Sequence, residues 1–269
     1  MHEAKLKAQN TYNAAADYFD DPALGFWDRF GSATIDRLHL SPGAAVLDVC
    51  SGTGASALPA AVQVGPAGKV VAVDLSENLL RLAKQKAQRL GLSNVEFRLG
   101  DVDALECPLG HFDAVVCVFG IFFLPDMLSA TTRLWQMLKP GGQLAITTWG
   151  PRLWEPGSSM FWDAVNRVRP DLTRAFNPWD SLTDPDAVLS LLLDAGASYV
   201  TVEPVSGLHP LRAREDFWTI VLGSGYRATY EAMTPAERRA VYDDVMDSIS
   251  TQLITEVETN VVFAVAKNS

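Results

Sequence analysis

The stretch Ala45-Val46-Leu47-Asp48-Val49-Cys50-Ser51-Gly52-Thr53-Gly54 decides the fold. Its first five residues are almost unbroken in apolar character and too few for a helix, so they read as a buried strand. Cys50 to Gly54 is small and glycine-rich, which permits a tight turn and lets the backbone approach a ligand closely. Residues 55–64 then read as a helix. Strand, glycine loop and helix in that order are half of a parallel βαβ unit.

The same alternation continues outward in both directions. Lys69 to Asp74 is a second strand, and Ser76 caps a helix that runs to Leu90 and stops at Gly91. Asn94 to Leu99 and Phe112 to Val118 are the third and fourth strands. A helix follows to Leu138, ended by Lys139-Pro140-Gly141-Gly142, before a fifth strand from Gln143 to Trp149. On the N-terminal side, residues 1–40 repeat apolar positions at helical spacing as far as the turn Ser41-Pro42-Gly43. Beyond Trp149, residues 150–183 hold several Pro and Trp residues and little periodicity. Asp184-Pro185 opens a helix that Gly196 closes, and Tyr199 to Val205 is a strand. Residues 211–252 look helical, with a capping-box start at Thr234-Pro235-Ala236-Glu237. Val257 to Ala266 is the final strand. Apolar strands alternating with helices imply a parallel sheet covered on both faces.

Composition narrows the function classes. A chain of 269 residues suits one large domain or a core with an insertion, and 48% hydrophobic with 20% charged residues can bury a full core. Cys50, Cys107 and Cys117 are an odd number without C-x-x-C spacing, which argues against a disulfide framework and against a zinc or other metal site. A reducing, cytoplasmic setting is expected. Met1 to Lys7 is polar, without an apolar signal segment. The longest apolar run, between Asp113 and Asp126, is short of the roughly 20 residues that span a bilayer. The net charge of −10 and the lack of a Lys/Arg cluster point away from nucleic acid and membrane and towards a small-molecule partner.

Three aspartates stand at or near successive strand ends, one βα unit apart: Asp48, Asp74 and Asp101. Ligands of doubly wound sheets bind outside the C-terminal ends of the strands. A dinucleotide would require G-x-G-x-x-G. Cys50 to Ala55 lacks the first glycine of that fingerprint and does not complete the rest, and Asp48 would face a phosphate unfavourably. An NAD-dependent oxidoreductase is therefore disfavoured, and a cationic ligand without phosphates is favoured.

Val46 to Gly54 resembles the first motif of the class I methyltransferases that use S-adenosylmethionine (SAM), a family that usually has glycine where this chain has Cys50. Asp74 matches the acid that holds the ribose hydroxyls, and Gly100-Asp101-Val102 matches the adenine-side motif. Phe112-Asp113-Ala114-Val115-Val116 through Leu124-Pro125-Asp126, and Leu138-Lys139-Pro140-Gly141-Gly142, match the fourth- and fifth-strand motifs. The likeness covers residues 40–150 and is strongest to the ubiquinone/menaquinone-biosynthesis type and the natural-product methyltransferases near it.

The resemblance implies an α/β, Rossmann-like, doubly wound seven-stranded sheet. It would comprise an N-terminal helical cap (1–40), a SAM-binding core (41–150), an insertion or lid (151–196) and a C-terminal part of the sheet (197–269) with a helical insertion at 211–252. It also implies a cofactor site made of Asp48, Cys50, Ser51, Gly52, Gly54, Asp74, Leu75, Asp101 and Val102, with Cys117 at a strand end. Tyr18 would join them from the N-terminal helices, which in the family fold over the cofactor. The family's aromatic-plus-histidine stretch is here Ile121-Phe122-Phe123, so no catalytic residue is assigned. The expected acceptor is a small, apolar, ring-containing metabolite, held by Trp154, Trp162, Trp218 and His209 in the inserted regions. The competing reading of those aromatics is that they fill a helical core. Two rivals keep the site but change the role: a SAM-binding protein that runs a non-methylating reaction, and a non-enzymatic cofactor-binding partner.

Overall fold

Valine-rich runs too short to fill a helix form strands, and the amphipathic segments between them form helices. The computed structural model describes residues 3–105, 107–173 and 177–268. The strands are β1 (Ala45–Val49), β2 (Lys69–Asp74), β3 (Val95–Leu99), β4 (Phe112–Val118), β5 (Leu138–Trp149), β6 (Tyr199–Val205), β7 (Leu208–Pro210), β8 (Glu256–Glu258) and β9 (Val261–Lys267). The helices are α1 (Glu3–Phe19), α2 (Phe26–Asp36), α3 (Ala57–Val64), α4 (Glu77–Arg89), α5 (Met127–Gln136), α6 (Gly157–Val168), α7 (Pro185–Asp194), α8 (Glu215–Leu222), α9 (Arg227–Glu231) and α10 (Pro235–Thr251).

Seven strands make one sheet in the order β3-β2-β1-β4-β5-β9-β6. All neighbours are parallel except β9, which runs antiparallel to β5 and to β6. The winding direction reverses between β1 and β4, so a crevice opens there, outside their C-terminal ends. The expected seven-stranded doubly wound sheet is thus the observed one.

Three local expectations need correction. The fifth strand starts at Leu138, and Lys139 to Gly142 lie inside it. The ladder slips there, pairing Phe112 with Leu138 and then Ala114 with Gln143, so the glycines sit in an irregular strand start and do not end a helix. The final strand is two strands: Val257 belongs to β8, which pairs with β7 in a separate ribbon. The helical stretch 211–252 is three helices.

Side-chain alternation divides the core. Val46, Ala114, Val116 and Ala145 face α3 and the end of α2. Leu47, Val49, Val115, Leu144 and Ile146 face the larger cluster, which runs on into the helices after β5. The two N-terminal helices cross the strand ends. Asn13 of α1 bonds Ser76 (2.7 Å) and accepts Asn78 Nδ2 (3.0 Å) at the start of α4. Helix α2 comes closest to the loop before α3 at Gly31, where a Cβ would lie 2.3 Å from the carbonyl oxygen of Ala55.

Gly31→Ala is expected to lower stability. Alanine favours a helix interior by about 1 kcal/mol over glycine, but the new methyl meets backbone that cannot rotate away. Overpacking of this kind costs about 1–3 kcal/mol. The melting temperature should fall; an unchanged or raised value would show that α2 does not press on Ala55.

Candidate active site

The C-terminal ends of β1 to β4 and the inner face of α1 enclose a cleft, placed where doubly wound sheets bind small-molecule ligands. The strand order sets its length. Asp101 and Val102 after β3 form one end, Asp74 after β2 stands midway, the loop Cys50 to Ser56 follows β1, and Phe119 and Gly120 after β4 form the other end.

Asp74 ties the middle together. Its Oδ2 accepts the Gly52 N–H at 2.8 Å and its Oδ1 accepts the Ser76 N–H at 2.8 Å. Burial raises its pKa, while the N–H groups of Ser76, Gly52 and Leu75 pull it back. With about four acceptor sites against these backbone donors, the carboxylate keeps capacity for a further donor, such as a sugar hydroxyl. At the β3 end, Asp101 Oδ1 accepts Lys5 Nζ at 2.5 Å and the Asp103 N–H at 2.9 Å. Lys5, which also pairs with Asp103, is 3% exposed. Burial alone would depress the Lys5 pKa, but the two carboxylates hold it above the ordinary value. An ion pair therefore latches α1 to the loop after β3.

The loop after β1 is strained where the family has glycine: Cys50 adopts φ 57°. Across from it, a Cβ on Gly120 would lie 2.3 Å from Cys50 Cβ and 3.2 Å from Cys117 Sγ, so only glycine fits between the two cysteines. The Cys50 thiol is pushed up by its bond to Cys117 and by burial, which keeps it protonated and weakly nucleophilic.

Of the residues expected at the cofactor, Cys50, Ser51, Gly52, Asp74, Leu75, Asp101 and Val102 line this cleft. Asp48, Gly54 and Cys117 are not among the lining residues, and alternation explains the first. Asp48 shares its strand face with Val46, so it points towards α3 behind the cleft wall. There Ser56 donates to Oδ2 at 2.7 Å, and Oδ1 has no partner. Burial pushes the Asp48 pKa up to about 7, with Asp74 adding and Ser56 and the Ala57 N–H opposing. Gly54 adopts φ 87° with Leu58 where a Cβ would stand, and Cys117 is fully buried.

Tyr18 is also corrected. It is 36% exposed and turns towards Arg227, with 5.8 Å between guanidinium and ring. Lys5, Ala8, Gln9, Tyr12 and Phe19 face the cleft instead. Lys5, Ala8, Gln9 and Tyr12 are spaced i, i+3, i+4, i+7, and Phe19 lies seven beyond Tyr12, so the helical period could have selected them and rejected position 18. Tyr12 is held protonated by burial and by Asp74. Trp27 of α2 was missed as well. It stacks on Phe19 (5.1 Å, 1°) and meets Phe119 edge-on (5.6 Å), while Phe119 stacks on Trp149 at 3.9 Å.

None of the four substrate candidates lines the cleft. Trp154 is 1% exposed and packs edge-on against Tyr226 (5.1 Å). Trp162 packs on the same Tyr226, and Trp218 on Tyr242. His209 Nε2 bonds the Ala23 carbonyl at 2.9 Å, and burial lowers its pKa. Trp154 is buried in the helical part, and Trp162 and Trp218 pack half-buried against that core.

A doubly wound sheet with a glycine loop after β1 and a carboxylate after β2 has the layout of a nucleoside-binding site, and the comparisons give its class. Residues 46–142 match a methyltransferase domain. Over 256 residues the chain is 28% identical to nocamycin O-methyltransferase of Saccharothrix syringae, covering 89% of each. It is 34% identical over 152 residues to demethylmenaquinone methyltransferase of Lactococcus lactis, covering 55% of this chain and 60% of that enzyme. The solved structure of Haemonchus contortus phosphoethanolamine N-methyltransferase 2 with SAM superposes with a TM-score of 0.62 at 18% identity, over all of this chain and 60% of that one. The chain is a class I methyltransferase with SAM as its cofactor. Among the described residues no helix is long and apolar enough to cross a membrane.

The buried Asp48 makes stability depend on pH. Its folded pKa is raised to about 7 from an ordinary 3.8, so between those values the native state keeps a proton that the unfolded chain has lost. Its contribution therefore falls as pH rises from about 4 to 7, by up to about 1.4 kcal/mol per unit. Asp48→Asn should flatten that part of the unfolding free-energy curve. Wild-type and Asn curves that stay parallel from pH 4 to 7 would contradict the shift.

Proposed function

We propose that the cofactor lies along the strand ends, with adenine between Gly100 and Val102, the ribose hydroxyls on Asp74, and the amino-acid end against Ser51 and Gly52. The observation that carries this is the Asp74 carboxylate, which lines the cleft midway along the strand ends and keeps acceptor capacity beyond its backbone donors. When bound, SAM supplies an electrophilic methyl on a sulfonium; the protein's part is to align, desolvate and exclude water. Asp48 acts from behind the wall by holding Ser56 at the start of α3.

We further propose that the methyl acceptor is a small, apolar, ring-containing metabolite. Support comes from the β4 end of the cleft, where Phe19, Trp27, Phe119 and Phe123 form an aromatic wall. Relatives named for nocamycin and for demethylmenaquinone fit this reading. The neighbouring thiol and phenol, Cys50 and Tyr12, are both held protonated, so the reading favours an acceptor whose nucleophile ionises without help from the enzyme.

Asp74→Ala should weaken SAM binding roughly 10–100-fold, since hydrogen bonds to a charged group are worth about 1.5–3 kcal/mol. Calorimetry showing unchanged affinity would remove Asp74 from the ribose. Incubating the protein with SAM and a metabolite library should yield an acceptor heavier by one methyl group together with S-adenosylhomocysteine. Conversion of a substrate without that gain would mean another reaction runs in the same cleft.

A further inference from the structure

Of the buried side-chain polar atoms without a partner among the described residues, two belong to residues that line the cleft: Trp27 Nε1 and Ser51 Oγ. Leaving a buried donor unpaired is costly, and three of the neighbouring side-chain donors are already engaged. Gln9 Nε2 gives to the Leu75 carbonyl, Thr53 Oγ1 to Asp20 and Ser56 Oγ to Asp48. Among the described lining residues Lys5 is the one cation, and Asp101 and Asp103 hold it. An anionic group in this cleft must therefore be met by neutral donors.

Trp27 is also at the right end. Asp101 marks the β3 side of the crevice, whereas the Trp27 ring contacts Phe119 after β4 and Trp149 at the end of β5 (5.4 Å). If adenine sits by β3 and ribose on Asp74 of β2, the amino-acid end points to the side where Trp27 stands. We propose that the indole N–H of Trp27 donates a hydrogen bond to the cofactor's carboxylate, with the Ser51 hydroxyl as its companion. This makes α2 a cofactor-binding element. The inference rests on the orientation proposed above.

The test compares wild type with Trp27→Phe, which keeps a ring against Phe19 but deletes the donor. Calorimetry on the full chain would use three ligands. S-adenosylhomocysteine has the carboxylate; decarboxylated S-adenosylmethionine lacks it but keeps the ammonium; 5′-methylthioadenosine lacks the whole amino-acid end. The variant should bind S-adenosylhomocysteine roughly tenfold or more weakly and the other two as wild type does. Unchanged S-adenosylhomocysteine affinity overturns the proposal. An equal loss for all three ligands also overturns it, because the indole would then matter only as packing. A wild-type protein that binds none of the three overturns the cofactor orientation itself, and the inference with it.

Discussion

One carboxylate holds the cleft in shape. Asp74 accepts N–H groups from Gly52 in the loop after β1 and from Ser76 at the start of α4, so two backbone segments from different βα units meet on one side chain. Each bond is charge-assisted and therefore stronger than a neutral one. The Gly52 N–H is available because Gly52 adopts φ 54°, a conformation that costs glycine little. The carboxylate is thereby fixed in position, since the protein's own amides have already oriented it.

Around that tie the cleft separates by polarity. The β2 and β3 end carries Asp74 and Asp101, with Lys5 closing it from above. The β4 end is lined by Phe19, Trp27, Phe119 and Phe123, with Trp149 stacked on Phe119 behind them. Methyl transfer from a sulfonium dissipates charge, and an apolar surround favours the less charged side of that change. In the cofactor orientation proposed above, hydrogen-bonding groups meet the nucleoside and aromatic surface meets the methyl, two halves of one requirement.

The α1 helix makes the cleft from above, and its hold is electrostatic at one end and aromatic at the other. Lys5 is buried against two carboxylates, and breaking a buried pair costs more than a surface one because it strands a charge. At the far end of α1, Phe19 lies over Gly52, 3.7 Å from the position a Cβ would take there. A side chain at position 52 would thus meet the roof of the site.

The order of strands and helices, the glycine loop and the line of residues Cys50, Ser51, Gly52, Asp74, Leu75, Asp101 and Val102 were legible in the sequence. Each of these residues sits at a strand end, and chain order along a βαβ unit already dictates which end faces the crevice. Side-chain direction was less legible. Asp48 is in the motif but turns to α3, because strand alternation commits it to the face of Val46. Tyr18 was chosen by residue type, although the period of α1 puts Tyr12 and Phe19 in the cleft. What only the tertiary structure decided is which aromatics meet. Trp154, Trp162 and Trp218 pack on tyrosines of the helical part, whereas Trp27 lines the cleft with Trp149 packed behind it, and nothing in their local sequence separates the two groups. Apolar burial is non-directional, so a tryptophan's pattern states that it will be covered; the long-range arrangement of α2, β5 and the later helices states by what.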